Sequence, residues 1–134
     1  MNWNYISGFF DADGYITLSR PHKNQNKTVY VGFTNVEESI LIEIKDFILN
    51  DIGVKGSISK KGARKENHSD SYDLKYLYNN ALKVIEMIDT HHPKKSHRKN
   101  IVIEQYKKLT PRNGKYTDEI KEKREKMIES FFSH

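Results

Sequence analysis

Between Trp3 and Ile88 the apolar spacing switches twice, in the same order, from a helical period to strict alternation. "WNYISGFF" opens a helix over about residues 3–12, stopped by Gly14 as a left-handed C-terminal residue. "YITLSR" and "TVYVGFT" then alternate, with Ile16 and Leu18, and Val29, Val31 and Phe33, on one face. "NVEESILIEIKDFILNDIG" returns to a helical period through Ile40, Leu41, Ile44, Phe47 and Ile48, with Asn35 and Glu38 as an N-cap pair and Gly53 as its end. The order then repeats. "VKGSISK" and "YDLKYLY" are strands around a polar loop, and "NALKVIEMI" is a helix through Leu82, Ile85 and Ile88. Beyond Pro93 the spacing predicts a helix from about Ser96 to Leu109 and a last one capped by Thr117, with Ile120, Met127, Ile128 and Phe131 inward.

Such a chain packs economically as one antiparallel sheet backed by helices, an α+β domain spanning residues 1–134. One sheet face is apolar. The other carries Thr17, Ser19, Tyr30, Thr34, Ser59, Lys61, Asp73 and Lys75. It is flanked by three basic stretches, "RPHKNQNK", "KKGARK" and "HHPKKSHRK", in a chain of net charge +5. Separate basic patches around a polar sheet suit a phosphate-tracking surface, and a two-stranded ribbon fits the major groove. The alternative is the wet side of a half-buried sheet. Arg20, Lys23 and Lys60 are the expected phosphate contacts, and a one-residue slip would invert any strand.

"FFDADG" places Asp11 and Asp13 at a helix C-terminus, where an exposed acid typically costs about 0.3–1 kcal/mol. A bound cation is the natural compensation. It is not an EF-hand calcium ion: counted from Asp11, Gly14 falls fourth and His22 twelfth. With no cysteine, thiolate catalysis and cysteine-ligated zinc or iron–sulfur sites are excluded. The first residues form neither a leader nor a membrane span, so a soluble, intracellular protein is expected. Organelle (chloroplast or mitochondrion) and bacterial or phage cytoplasm both suit the composition. Gly8 and Ala12, one turn apart, make a small-residue face open either to the protein's own core or to close approach by another backbone.

"ISGFFDADG" resembles the motif of the LAGLIDADG homing endonucleases, with every position from Gly8 onward identical or a conservative apolar replacement. Gly53, "HPKKSHRKN" and the "GKYTDEIKEKRE" tail fit the same family pattern. The resemblance implies an αββαββα fold, an antiparallel sheet saddle backed by helices, with further C-terminal helices. It implies that Asp13 binds divalent metal at the scissile phosphate, Mg2+ with Mn2+ able to substitute, and that Asp11 is a structural acid at the helix end. With a single motif copy, it implies a homodimer in which Gly8 and Ala12 line the interface and the two Asp13 side chains meet at the two-fold axis.

Carried residue by residue, Glu37 takes the place of the polar helper at the start of the second helix. A basic residue expected one turn later is replaced by Leu41. Lys95, or its neighbour Lys94, matches the lysine that approaches the catalytic water. His91, His92 and His97 are phosphate contacts or surface groups. The implied function is a homodimeric, site-specific double-strand DNA endonuclease cutting a long pseudo-palindromic target and promoting intron homing. No membrane or small-molecule cofactor is involved. The alternative is a non-cleaving protein on the same fold, an RNA maturase bound to intron RNA or a DNA-binding regulator.

Overall fold

The computed structural model describes residues 1–20, 22, 26–62, 70–111 and 115–133. They form two compact units, Met1–Thr90 and His91–His134.

In the first unit the order is α1 (Trp3–Asp13), β1 (Gly14–Ser19), β2 (Thr28–Asn35), α2 (Glu38–Ile52), β3 (Ser57–Lys61), β4 (Ser71–Leu77) and α3 (Tyr78–Met87). The strands make one antiparallel sheet in the order β1-β2-β4-β3, the α+β architecture expected from the repeated spacing. Ile16, Leu18, Val29, Val31, Phe33, Leu74 and Tyr76 are all buried, so the strand alternation is as read. The helices meet this face with Ile6 and Phe10 of α1, Leu41, Ile44 and Ile48 of α2, and Ala81, Val84 and Ile85 of α3. Each large apolar side chain so buried contributes about 1.5–3 kcal/mol. Leu41, at the position where a basic helper was expected, is wholly inside this core.

In this unit the helix ends correct two expectations. Gly14 is extended rather than left-handed, with φ −90° and ψ 168°, and β1 begins there without a turn. Its missing side chain answers a packing need: a Cβ would lie 2.7 Å from Phe10 Cγ and 2.8 Å from Phe10 Cα. Only Gly53, at φ 69°, is the left-handed cap, donating its N–H to Leu49 O at 3.0 Å. Asn35 does not cap α2; Glu37 is the N-cap residue, and Asn35 instead accepts the Glu37 N–H in a local Asx turn. Leu82 is half-buried, its place in the core taken by Ala81 and Val84.

Asn2 caps α1 by accepting from Tyr5 N at 2.8 Å. The start of α1 is fastened to the end of α2 by Trp3, whose indole donates to Asp51 at 2.7 Å and whose ring meets Phe47 edge-on.

The second unit contains α4 (Pro93–Ile101), a π-helical turn (Val102–Tyr106) and α5 (Asp118–Phe132). Pro93 begins α4 rather than preceding it by several residues, because proline suits the first helical turn, where its missing N–H costs nothing. Thr117 caps α5 as expected, accepting from Ile120 N at 3.2 Å. Met127 and Phe131 are buried beside Arg124, while Ile120 and Ile128 are half-buried. Among the described residues no helix is long and apolar enough to cross a membrane.

Candidate nucleic-acid interface and acidic site

Antiparallel register decides which side chains share the sheet face away from the helices. Thr17 stands opposite Tyr30, and Thr34 opposite Asp73, which in turn faces Ser59. Ser19 pairs with Thr28, Lys61 with Ser71, and Lys75 with both Gly32 and Ser57. The eight strand residues expected on the polar face therefore do share it. Arg20 is exposed just beyond β1, and Lys23 lies outside the described residues. Lys60 falls on the opposite parity and pairs with Asp70 at 3.0 Å, a contact that raises the lysine's pKa.

This face has an internal structure that alternation could not show. Tyr15 lies across β2, over Gly32, where an added Cβ would come within 2.6 Å of the ring. Its hydroxyl donates to Asp73 Oδ2 at 3.1 Å, and the Thr34 hydroxyl donates to Asp73 Oδ1 at 3.2 Å. Lys75 Nζ lies 3.9 Å from Asp73 Oδ2 and 5.3 Å from the centre of the Tyr30 ring. Asp73 is only 1% exposed, so the polar face holds a buried carboxylate. Burial, and then the Asp73 charge, raise the Tyr15 pKa and keep the phenol a donor.

At the end of α1 the two aspartates have different surroundings. Asp11 is half-buried and accepts a short hydrogen bond from the Thr90 hydroxyl. Ser7 Oγ, one turn earlier on α1, accepts the Asp89 N–H at 2.9 Å, so the same segment is held at two points. Asp13 is exposed, and its Oδ2 accepts from the side-chain amide of Asn35 at 3.1 Å. The same amide takes the Glu37 N–H at 2.8 Å through its oxygen. Asn35 thus joins the two acidic positions, Asp13 and Glu37. Sequence reading missed that role, although an asparagine two residues before a helix cap is a recognisable Asx-turn signal.

Gly8 and Ala12 are exposed, and an added Cβ on Gly8 would meet nothing within 4 Å. Among the described residues, then, this small-residue face lies at the surface rather than in the core. Lys94 and Lys95 lie in the first turn of α4 in the second unit, where the Lys95 N–H reaches His92 Nδ1 at 3.5 Å. His97 Nε2 lies 2.7 Å from the Ser130 carbonyl and donates to it. His91 and His92 are exposed.

Whether these residues fit a divalent cation depends on donor type and number. Asp13 offers a hard carboxylate oxygen at the surface, as Mg2+ requires. Among the described residues, however, no three His, Asp or Glu side chains of one chain converge on a common point. Asp13 can serve as one ligand to such a cation, and the described residues do not build a closed cage around it.

A family description of a LAGLIDADG-like domain matches residues 2–105. No curated protein matches the sequence. Among solved structures, the fold resembles the LAGLIDADG homing endonuclease I-GzeII in complex with its DNA target, with a TM-score of 0.67 and 17% identity. That similarity covers 99% of this chain but 44% of the neighbour's. It also resembles the archaeal intron-encoded homing endonuclease I-Vdi141I complexed with DNA, with a TM-score of 0.52 and 14% identity over 96% of this chain and 92% of that one. The matched span takes in the acidic helix end and all four strands, and the chain belongs to the LAGLIDADG-like domain family.

Proposed function

We propose that this protein is a site-specific, double-strand DNA endonuclease that acts as a homodimer and uses divalent metal. The observation that carries the reading is the exposed end of α1. There, two exposed small residues, Gly8 and Ala12, lead up to a surface carboxylate held by a neutral amide. A face built from Gly8 and Ala12 allows the backbone of a second copy to come close, and a two-fold contact needs only one such patch. Two copies of Asp13 would then approach each other, and a bound divalent cation would relieve their repulsion. Both neighbours named above were solved with DNA, which supports DNA as the ligand; the polar sheet face, flanked by basic stretches, is the surface proposed to meet it.

Mg2+, held by Asp13 of each copy with Glu37 nearby, would neutralise phosphate charge and activate water. The protein's own groups do the positioning. Asn35 holds one oxygen of Asp13 through its side-chain amide. The N-terminus of α2 supplies a positive dipole end beside Glu37. Lys95, with Lys94 beside it, is the basic group assigned to the water network. The polar strands, Arg20 and Lys61 track the duplex; Lys60, on the other side of β3 and paired with Asp70, does not.

The deciding experiment offers a randomised duplex library to the natural protein and to Asp13→Asn, in Mg2+ and in Ca2+, and sequences captured ends. Discrete double-strand cuts that need both Mg2+ and Asp13 support the nuclease. Salt-sensitive duplex binding with no cut in either metal, unchanged by Asp13→Asn, would replace it with a non-cleaving DNA-binding protein. Preference for structured intron RNA over duplex would point to a maturase.

A further inference from the structure

We infer that Asp73 is a positioning residue rather than a DNA contact, and that it makes Lys75 a reader of guanine in the major groove. This inference rests on the DNA-binding reading proposed above. At 1% exposure Asp73 cannot reach a base edge, and its charge would repel phosphate. Its two oxygens are instead taken up within the sheet face, Oδ1 by Thr34 and Oδ2 by Tyr15, with the Lys75 ammonium 3.9 Å from Oδ2.

Two consequences follow for what the face can offer. A tyrosine or threonine hydroxyl has one proton to donate, and Tyr15 and Thr34 both spend theirs on Asp73. Toward a ligand they present lone pairs. Lys75 is the complement. Its side chain is 39% exposed, held between the Asp73 carboxylate and the Tyr30 ring, with three N–H donors of which no more than one points at Asp73. The centre of the face is therefore one anchored donor cluster beside inward-bonded hydroxyls. Guanine presents two adjacent acceptors, N7 and O6, to the major groove, and lysine is one of the two side chains that pair with both. Anchoring matters because a free lysine is a flexible point charge that would settle as readily on a phosphate. The Asp73 carboxylate and the Tyr30 ring flank the ammonium at 3.9 Å and 5.3 Å, and Gly32 leaves the room in which Tyr15 reaches Asp73.

The test is selection of bound duplexes from a randomised pool in Ca2+, followed by sequencing, with the natural protein, Lys75→Met, Asp73→Asn and Tyr15→Phe. The natural protein is expected to select guanine at one position of each half-site. Lys75→Met should lower that preference about ten-fold or more, leaving the other positions unchanged. Asp73→Asn and Tyr15→Phe, with folding checked by circular dichroism, should weaken preference at the same position and no other. Lys75→Met carries the test alone should Asp73→Asn not fold, since Lys75 is partly exposed. A defined site whose every position is lowered evenly by Lys75→Met, or is untouched by it, would overturn the inference and leave DNA binding standing. Absence of any duplex selection by the natural protein would overturn both.

Discussion

The side-chain amide of Asn35 donates to Asp13 at 3.1 Å while its oxygen accepts the backbone N–H of Glu37 at 2.8 Å. One neutral group at the end of β2 thereby sets the orientation of a carboxylate at the end of α1 and the start of α2. An amide can do this and a carboxylate cannot, since only the amide has both a donor and an acceptor.

For the proposed nuclease, Asn35→Ala should therefore lower single-turnover cleavage by about 10–100-fold, the usual effect of removing a group that orients a metal ligand, the role proposed for Asp13. Duplex affinity in Ca2+ should change much less. Asn35→Asp should be worse than alanine, because it sets a second negative charge against Asp13. Cleavage unaffected by Asn35→Ala would show that Asp13 needs no such support.

On the proposed homodimer, the small-residue face of α1 separates the stability of the single chain from that of the assembly. Alanine in a helix interior is favoured over glycine by about 1 kcal/mol, and the Gly8 site has room for a Cβ within the chain. Gly8→Ala should stabilise the isolated chain by about 0.5–1 kcal/mol in urea unfolding at low protein concentration. Ala12→Leu, on the same exposed face, should shift mass from dimer to monomer in light scattering. An unchanged dimer mass for Ala12→Leu would place the interface elsewhere.

What could be read from the sequence, and what could not, divides by the range of the interaction. The strand faces were legible because alternation is local: Val29, Val31 and Phe33 point one way whatever β2 pairs with. The acidic helix end was legible as a motif. The role of Asn35 was not, since it depends on the ends of α1 and β2 coming together, 22 positions apart in the chain. Gly14 was read as a turn residue because glycine's common use at helix ends is conformational; here the packing of Phe10 excludes a Cβ. Asp73 joined the outward set by parity, and only the pairing of three strands shows that Tyr15 and Thr34 bury it. The spacing alone starts the helix beyond Pro93 at about Ser96, because it does not tell a proline that ends a segment from one that opens a helix.

In the second unit, Arg124 is a buried cation at 5% exposure. It donates to the Leu109 carbonyl at 3.0 Å and to Thr110 Oγ1 at 2.5 Å, with the Tyr106 and Tyr116 rings 5.5 and 5.7 Å from its guanidinium. Arg124→Ala would remove these hydrogen bonds and the stacking together, an expected loss of about 2–4 kcal/mol. Arg124→Lys should recover only part, since an ammonium lacks the planar fork. Hydrogen exchange on the full chain is the measurement. Amides of α5 should exchange faster in Arg124→Ala, and equal protection would mean that the buried arginine is not what holds this helix.

Gly32 provides the last prediction, because its sequence position in the middle of β2 is otherwise unfavourable: glycine weakens a strand interior. The Tyr15 ring fills the space a side chain would need, so Gly32→Ala must push the phenol aside and strain its hydrogen bond to Asp73. The cost should be about 1–3 kcal/mol, as for overpacking of a filled site. In a Tyr15→Ala background the same space is empty. There Gly32→Ala should be neutral or stabilising, since a Cβ then only removes glycine's excess freedom in the unfolded chain. Thermal or urea unfolding of the four proteins closes a double-mutant cycle, and residues in contact should show a coupling of about 0.5–3 kcal/mol. Simple additivity would mean that Tyr15 does not rest on Gly32 in solution. The hydrogen bond that buries Asp73 would then lose its structural basis, and with it the anchor assigned to Lys75.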